Sequence, residues 1–345
     1  MTLDVAAPPQ QHATAPRADV LPVDLLGLGT ALPERVMTND DWAATLDTDD
    51  AWIRSRTGIA ERRVAADGES TGTLALSAAR AALADAGVDA RDLAAVIVAT
   101  TTPDRPMPGV APVLAAGLGC EAAAFDVQAA CAGFVTALRV AAPLVQPDRP
   151  VLVVGAETMT RVLDHTDRGT AVLFGDGAGA VVLGTGRGGS LGPFDLGSDG
   201  TQVEILEIPA GGSLAPASER TVAERGHTLK MHGPEVYRRA VARMVASSQA
   251  VLEAAGLTTD DVDLVVGHQA NERILTAVGR RLGIEDERQQ LSVGHHGNTS
   301  AASVPLALAD ARDAGRLAPG SRVLLTTFGS GLSWASCLLT LGDTA

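Results

Sequence analysis

Cysteine and basic residues are scarce in this chain, and long apolar runs are missing. Three cysteines in 345 residues, none in a CxxC pair, do not form a disulfide framework, so we expect a reduced, cytoplasmic protein. No group of cysteines and histidines has the spacing of a metal site. A net charge of -14 argues against binding to nucleic acid or to an anionic membrane surface. No apolar run approaches the roughly 20 residues needed to span a bilayer.

Aromatic residues are also few, at 3% of the chain, whereas apolar residues of all kinds reach 46%. That composition supports a sizeable core of small side chains, which favours close packing of helices on sheets. The first 21 residues are rich in alanine and proline and lack the basic start and apolar stretch of a secretory signal. We therefore predict a flexible N-terminal extension over residues 1–21.

Strand and helix patterns alternate from residue 23 onward. Apolar runs predict strands at 23–30, 93–101, around 125 and at 150–155. Capping signals and apolar periodicity predict helices from 39, at 70–86, at 110–117 and from 131 to about 145. This alternation predicts an α/β protein with a parallel or mixed sheet and helices on its faces.

The second half of the chain repeats the first at a fixed offset. Gly87 and Gly256 are the sixth residues of two similar segments, ALADAGV (82–88) and VLEAAGL (251–257), and lie 169 positions apart (256 minus 87). The segments ACAGFVTAL and TSAASVPLA place Cys131 and Ser300 at the same offset, as do the strand-like DLAAVIV and DVDLVVG. Chance resemblance between alanine-rich helices is the alternative, but the strand pair also keeps register. An internal duplication of a βαβ-type unit therefore predicts two halves, at 22–190 and 191–345.

Cys131 is the candidate nucleophile. It follows a predicted strand and opens a helix in AACAGF, and a helix N-terminus lowers the pKa of a thiol. A buried structural cysteine is an equally good interpretation of that position alone. Cys120 and Cys337 lie in apolar surroundings, and we interpret both as structural.

Two polar residues of the second half are candidates for the same site. His268 ends the apolar strand in VDLVVGHQAN, and sites in α/β units form at the carboxyl ends of strands; a surface histidine is the alternative. Asn298 lies in GHHGNTSAAS, where its alternative role is a helix N-cap. The adjacent His295 and His296 cannot readily face one metal ion, and we interpret them as loop residues.

Two glycine-rich segments look like ligand-binding loops. Residues 175–179 read GDGAG but precede a strand-like segment, whereas a dinucleotide loop lies between a strand and a helix. We expect this segment to turn the backbone tightly beneath the site. Residues 329–334, GSGLSW, are expected to form a turn that presents backbone N–H groups before the last strand.

Three segments in order, AACAGF, GHQANERI and GNTSAAS, resemble the signatures of the β-ketoacyl-acyl-carrier-protein synthase III family of the thiolase superfamily. DDAWIRSRTGIAERR, DRGT and FGDGAGA match as well, and the resemblance runs from about residue 23 to 341. It implies an αβαβα layered thiolase fold with duplicated halves, in a homodimer. It also implies acyl-CoA and malonyl-acyl carrier protein as substrates, with no tightly bound cofactor and no metal.

The resemblance implies a role for each matching residue. Cys131 matches the acylated nucleophile, and His268 and Asn298 match the pair that binds the malonyl thioester carbonyl. The backbone N–H groups of Cys131 and Ser330 would form an oxyanion hole. Coenzyme A is implied to bind at Thr48, Trp52, Arg56, Arg168 and Asn271. The implied acyl pocket comprises Met107, Phe174, Met231, Gly233, Tyr237, Ala270 and Phe328. The acidic carrier protein is implied to dock on a local basic patch formed by Arg238, Arg273 and Arg280.

The implied reaction is a decarboxylative Claisen condensation that gives a 3-oxoacyl product. The chain departs from the family pattern with Gly267 for proline, Ser330 for glycine, Tyr237 for phenylalanine and Met107 for a bulky aromatic. These departures leave open a polyketide-pathway priming ketosynthase, or an acyltransferase, with malonyl or a bulky starter. A non-catalytic subunit would have lost Cys131, and thiolase proper needs a second active cysteine, a role that Cys337 matches poorly.

Overall fold

The computed structural model describes residues 19–343. The predicted extension at 1–21 therefore lies outside the described residues except for its last three. Among these, Leu21 pairs with Leu191 through two backbone hydrogen bonds of 3.0 Å. Within the described range, no helix combines the length and the apolar character that crossing a membrane requires.

Strands and helices alternate along the chain as the sequence predicts. The strands are β1 Asp24–Ala31, β2 Val36–Thr38, β3 Glu61–Arg63, β4 Ala95–Ala99, β5 Ala123–Val127, β6 Val151–Thr158, β7 Asp176–Gly184, β8 Ser190–Ser198, β9 Leu206–Glu207, β10 Lys230–Met231, β11 Leu264–Gly267, β12 Arg322–Gly329 and β13 Ser333–Thr340. The α-helices are α1 Asn39–Ala43, α2 Asp50–Thr57, α3 Thr71–Ala86, α4 Val110–Leu118, α5 Gly133–Ala141, α6 Arg168–Ala171, α7 Glu219–Ala223, α8 Gly233–Ala255, α9 Glu272–Leu282, α10 Val293–His296 and α11 Ser303–Asp313.

Local sequence sets the ends of α3, the predicted helix at 70–86. The Ser70 hydroxyl accepts a hydrogen bond from the Thr73 backbone N–H, and the Thr73 hydroxyl accepts one from the Ser70 N–H. This reciprocal pair satisfies two N–H groups that the first helical turn leaves unpaired. Gly87 ends the helix with a φ of 66°, a left-handed conformation that glycine adopts without steric cost.

Two sheets with the same strand order form the framework. The first has the order β1-β7-β6-β4-β5, and the second has the order β8-β13-β12-β11. In the first sheet β4 is parallel to β6, and the pairs β6–β7 and β7–β1 are antiparallel. In the second sheet β11 is parallel to β12, and the pairs β12–β13 and β13–β8 are antiparallel. The shared topology confirms the duplication predicted from the sequence. Strand β5, parallel to β4 at the edge of the first sheet, extends the first half beyond this shared set.

Side chains that alternate along the strands pack on opposite faces of each sheet. On β4, Ile97 packs into a central core with α5 and α11, whereas Val96 and Val98 face α3 and α4. The outer face of the second sheet packs against α8 and α9. The layers therefore alternate as αβαβα, and the predicted fold class is confirmed.

Residues 175–179 do not form the tight turn predicted from GDGAG. From Asp176 onward they are the beginning of β7. A Cβ added to Gly179 would lie 2.7 Å from Pro305 Cβ, and one added to Gly175 would lie 2.3 Å from the carbonyl oxygen of His296. These glycines therefore allow strand β7 to approach residues of the second half closely, which is a packing role rather than a turning role.

Candidate active site

A cavity of ≈ 780 Å³ brings together residues of both halves. Cys131, His268 and Asn298 all line it, although they are far apart in the chain. Cys131 follows β5, His268 directly follows β11, and Asn298 precedes the short turn of helix that leads into α11. The sequence therefore identified three residues that the fold places around one space.

Cys131 lies in a single 3-10 turn, Ala130–Ala132, which leads into α5. Ala130 has a φ of 45°, a left-handed conformation that costs a non-glycine residue about 1–3 kcal/mol and is concentrated at functional sites. The Cys131 residue is only 9% exposed, and burial raises the pKa of its thiol to about 12. The lowered pKa expected from the helix start was therefore wrong, and Cys131 rests as a thiol at neutral pH.

The turn after β12 lies directly against the Cys131 backbone. A Cβ added to Gly329 would lie 2.6 Å from the Cys131 backbone nitrogen. Ser330 and Gly331 line the cavity within the turn that precedes β13, where Gly331 has a φ of 121°. The two segments proposed to supply the oxyanion hole are therefore adjacent, and the predicted turn at 329–334 is confirmed.

The side chain of His268 is buried, and its ring makes a short contact with Ser303. Its Nδ1 lies 2.6 Å from the Ser303 hydroxyl, which also accepts a hydrogen bond from the Gln269 backbone N–H at 3.3 Å. Among the described contacts of this hydroxyl, His268 Nδ1 is the one group that can accept its single proton, so we assign the Ser303 proton to His268 Nδ1, which leaves Nε2 as the N–H donor. Burial lowers the pKa of His268 to about 3, so the ring is neutral near pH 7.

Asn298 is fixed through both its backbone and its side chain. Its backbone N–H donates to the Leu173 carbonyl oxygen at 2.8 Å, and its carbonyl oxygen accepts from the Gly175 N–H at 3.1 Å. Its side-chain Oδ1 accepts from the Ser300 N–H at 2.9 Å. The amide Nδ2 therefore remains as the donor that Asn298 can offer to the cavity.

The neighbouring histidines differ from the predicted loop residues, because both lie in α10. His296 Nε2 is 3.1 Å from a carboxylate oxygen of Asp310, a partner that the local sequence does not reveal. Across residues 19–343, no group of three or more His, Cys, Asp or Glu side chains is arranged to hold a metal ion.

Most of the predicted acyl-pocket residues line the cavity. They are Phe174, Met231, Gly233, Tyr237, Ala270 and Phe328. Met107 does not line the cavity of its own chain, and its side chain is 85% exposed. Apolar residues that the sequence did not single out, among them Met159, Leu229 and Met244, complete the wall.

The predicted coenzyme A residues gather outside the cavity, except Asn271, which lines it. The Arg168 guanidinium lies 4.6 Å from the centre of the Trp52 ring, so the predicted pair makes a cation–π contact. Asn271 donates a side-chain hydrogen bond of 3.0 Å to the Arg56 carbonyl oxygen. Arg168 also donates to the backbone carbonyl that precedes Thr48.

The three predicted docking arginines differ in their surroundings. Arg273 lines the cavity, and its guanidinium lies 5.7 Å from the centre of the Tyr237 ring. Arg238 is paired with Glu235 on the same helix, which offsets part of its charge. Arg280 is exposed in the last turn of α9.

Sequence reasoning missed Glu157 and Ser303, and it treated Ser300 only as the counterpart of Cys131 in the repeat. The Ser300 hydroxyl lies 3.5 Å from Cys131 Sγ and 3.0 Å from Glu157 Oε1, and Glu157 is fully buried on β6. A carboxylate inside the otherwise apolar strand VLVVGAET was the signal that could have identified Glu157, because buried charges are costly.

Comparison with known proteins agrees with this geometry. Residues 125–200 match the family model described as 3-Oxoacyl-[acyl-carrier-protein (ACP)] synthase III, and residues 252–341 match the model of its C terminal part. The β-ketoacyl-[acyl-carrier-protein] synthase III of Roseiflexus castenholzii is 47% identical over 319 residues, covering 91% of this chain and 97% of that protein.

Solved structures give the same result. The 3-oxoacyl-(acyl carrier protein) synthase III of Pseudomonas aeruginosa PAO1 has a TM-score of 0.86 at 43% identity, covering 94% of this chain and 99% of that one. The priming β-ketosynthase of the R1128 polyketide biosynthetic pathway also has a TM-score of 0.86, at 38% identity, covering 98% and 100%. The chain therefore belongs to the β-ketoacyl-[acyl-carrier-protein] synthase III family of the thiolase superfamily.

Proposed function

We propose that this protein joins an acyl group carried on Cys131 to the malonyl group of an acyl carrier protein. The observation that carries the proposal is the meeting of Cys131, His268 and Asn298 in one largely apolar cavity. The substrates are an acyl-CoA and malonyl-acyl carrier protein, and the products are coenzyme A, carbon dioxide and a 3-oxoacyl-acyl carrier protein. The reaction uses no tightly bound cofactor.

The first half-reaction loads the acyl group. The Cys131 sulfur attacks the thioester carbonyl of the acyl-CoA, and the carbonyl oxygen becomes an oxyanion. The backbone N–H groups of Cys131 and Ser330 would stabilise that charge, since their segments lie side by side at the cavity wall. Coenzyme A then leaves as its thiol, and the acyl chain remains in the apolar part of the cavity.

The second half-reaction needs donors for an enolate. Loss of carbon dioxide from the malonyl group places negative charge on the thioester oxygen. The His268 Nε2–H and the Asn298 amide are the donors left free by the contacts with Ser303 and Ser300. Both donors are neutral, and their hydrogen bonds to the oxygen become stronger as negative charge develops on it. They therefore bind the enolate more tightly than the thioester carbonyl of the substrate.

Two surfaces would receive the substrates. Trp52 and Arg168, which contact each other directly at 4.6 Å, would move apart to receive the adenine of coenzyme A between the ring and the guanidinium. Arg273 at the cavity, together with the exposed Arg280 on α9, would attract the acidic carrier protein.

A homodimer is part of the proposal. Strand β5 is an exposed sheet edge that carries Phe125, 36% exposed, and Met107 projects into solvent at 85% exposure. An open edge with apolar side chains is a surface that proteins normally cover. Pairing through β5 would cover it, and Met107 of one subunit would then be available to the acyl pocket of the other.

A second candidate is a priming ketosynthase or acyltransferase of a polyketide pathway, with malonyl or a bulky starter. The exposed, flexible Met107, where the family pattern has a bulky aromatic, favours this reading. So does the similarity to the R1128 priming ketosynthase.

Intact-protein mass spectrometry after incubation with a panel of acyl-CoAs tests the proposal. We expect one acyl adduct per chain in the wild type and none in Cys131→Ala. Malonyl-acyl carrier protein should then remove the adduct as a 3-oxoacyl product. The adduct that forms fastest identifies the starter.

The alternatives give different results. Loading of malonyl or a bulky acyl group would favour the polyketide candidate. Failure of every acyl group to load, or equal loading of Cys131→Ala, would contradict the central assignment. Cys120→Ala is the matched control, because Cys120 is buried outside the cavity lining and should load like the wild type.

A further inference from the structure

A buried carboxylate lies one hydroxyl away from the proposed nucleophile. Glu157, at the end of β6, is fully buried, and its Oε1 is 3.0 Å from the Ser300 hydroxyl. The same hydroxyl is 3.5 Å from Cys131 Sγ. The three groups form a continuous chain from the reacting sulfur to the carboxylate.

The other contacts of Glu157 determine which groups donate and which accept in these hydrogen bonds. Backbone N–H groups of Thr101 and Thr102 donate to the carboxylate at 3.1 Å, and threonine hydroxyls at 100–102 also lie within hydrogen-bond distance. A carboxylate surrounded by donors also accepts from Ser300, so the Ser300 proton points to Glu157. The free lone pairs of the Ser300 hydroxyl therefore face the Cys131 thiol and can accept its proton.

The chemistry at Cys131 needs such an acceptor. The buried thiol is protonated at neutral pH, so acylation must remove its proton. His268, another candidate base that lines the cavity, has its Nδ1 engaged by Ser303, and its Nε2 is assigned the proton. Burial also lowers the pKa of His268, which makes the ring a poor acceptor.

Glu157, in contrast to His268, has a pKa shift that favours accepting a proton. Burial raises the pKa of its carboxyl, while hydrogen bonds from Thr102, Thr101 and Ser300 lower it, and the net direction is upward. A raised pKa makes the carboxylate a better proton acceptor than one exposed to water. Glu157 lies behind the cavity wall, and the titratable side chains that line the cavity besides Cys131 and His268 are Glu207, Tyr237 and Arg273.

We propose that Glu157, acting through Ser300, accepts the thiol proton of Cys131 during acyl loading and holds it until the acyl group leaves. The inference rests on the proposed function of Cys131 as the acylated nucleophile. Ser300 touches the reacting sulfur and is a catalytic residue in this scheme, whereas Glu157 acts through it as a positioning residue and proton store.

The steps balance over one catalytic cycle. As the Cys131 sulfur forms its bond to the acyl carbon, its proton moves to Ser300 Oγ, and the Ser300 proton moves to Glu157. The carbon–sulfur bond to coenzyme A breaks, and the coenzyme A thiolate takes a proton from water. After decarboxylation the enolate carbon attacks the acyl carbon, the bond to Cys131 breaks, and the thiolate recovers its proton from Glu157 through Ser300. The net reaction consumes one proton from solvent, as loss of carbon dioxide from a malonyl carboxylate requires.

Alkylation of Cys131 by iodoacetamide tests the relay, because it also needs the thiol proton to leave. The two possible roles of Glu157 predict changes of opposite sign. If Glu157 only places a negative charge near the sulfur, Glu157→Gln removes a repulsion and speeds alkylation. If Glu157 accepts the proton, Glu157→Gln slows alkylation at pH 7 by about 10²-fold, within the range of general base catalysis. The rate of the variant should then approach that of the wild type as pH rises.

Two further variants complete the test. Ser300→Ala breaks the same chain and should slow alkylation to a similar extent, with Glu157 still present. Ser336→Ala is the matched control, because Ser336 is equally buried but bonds to Thr326, outside the cavity lining, and should react like the wild type. Circular dichroism and melting temperature confirm that each variant is folded.

The proposal is overturned if folded Glu157→Gln, or folded Ser300→Ala, is alkylated at or above the wild-type rate. Should Glu157→Gln not fold, the Ser300→Ala result decides. Failure of the proposed function is a separate outcome: acyl-CoA would then not load the wild type, while the alkylation rates would still report on the relay.

Discussion

Position 131 in the first half and position 300 in the second are counterparts in the repeat, yet one carries a thiol and the other a hydroxyl. Their side chains meet at 3.5 Å, where the two halves face each other. Both turns contain a left-handed residue, although at different positions: Ala130, just before Cys131, has a φ of 45°, and Ser300 itself has a φ of 48°. Duplication therefore placed two equivalent helix starts next to each other, and only the one in the first half carries the proposed nucleophile.

The two halves also differ at the edges of their sheets. In the first half, the repeated strand β4 is covered by β5, whose own outer edge exposes Phe125. In the second half, the corresponding strand β11 pairs at Val265 with the chain at Gln289 and Gln290. In the described part of the chain, the same framework thus ends in an open edge in the first half and a covered edge in the second.

Exchanging the two counterparts should have the largest effect. In the double variant Cys131→Ser with Ser300→Cys, thiol and hydroxyl are both retained but trade places. We expect acyl loading to fall by at least about 10³-fold, because the backbone donors lie around position 131 and a serine hydroxyl is a weaker nucleophile there. Intact mass and peptide mapping under reducing conditions measure the rate and the position. An adduct at position 300 would show that the two sites are interchangeable.

The second-half donors should affect condensation rather than loading. We expect His268→Ala and Asn298→Ala each to slow decarboxylation of malonyl-acyl carrier protein by about 10²–10³-fold, with acyl loading much less affected. Stopped-flow measurement of each half-reaction separates the two steps. His295→Ala, on the exposed side of α10, is the matched control.

The pH dependence sharpens this test. Because the pKa of His268 is lowered to about 3, its cation forms only as the pH falls towards that value. The decarboxylation rate should therefore show no His268-dependent inflection between about pH 5 and 8. An inflection near pH 6.5 that disappears in His268→Ala would contradict the neutral donor.

A smaller effect is expected where the backbones of the two halves touch. A Cβ added to Gly155 on β6 would lie 2.4 Å from the Ala301 carbonyl oxygen. We expect Gly155→Ala to reduce the free energy of unfolding by about 1–3 kcal/mol, as overpacking does. Thermal unfolding followed by calorimetry measures it. Gly212→Ala, where the added Cβ meets no atom within 4 Å, should unfold like the wild type.

The comparison of sheet edges predicts the smallest change. If the open edge mediates self-association, Phe125→Asp should weaken it by about tenfold or more, which corresponds to about 1.4 kcal/mol. Leu291→Asp replaces a similarly exposed apolar residue next to the covered edge and should leave association unchanged. Sedimentation velocity over a concentration series distinguishes the two. Equal weakening by both would place the contact surface elsewhere.

Much of the framework was predictable because its signals are local. Ser70 and Gly87 mark the ends of α3 through contacts within three or four residues, and the 169-residue offset predicts the repeated topology. The GDGAG segment was misread as a turn. Glycine is needed there because Pro305 and His296 of the other half pack too closely for a Cβ atom. The sequence around the segment contains no signal for these distant contacts.

By itself, the sequence determined the alternation of elements, the duplication, and the proposal of Cys131, His268 and Asn298 as a site. Only the tertiary structure decided how those groups are protonated. The Cys131 pKa, raised by burial, and the neutral state of His268 depend on desolvation by surrounding atoms. The proposed proton store depends on a contact between Ser300 and Glu157, which are 143 positions apart. Such contacts arise from packing two sheets against each other, so no local pattern encodes them.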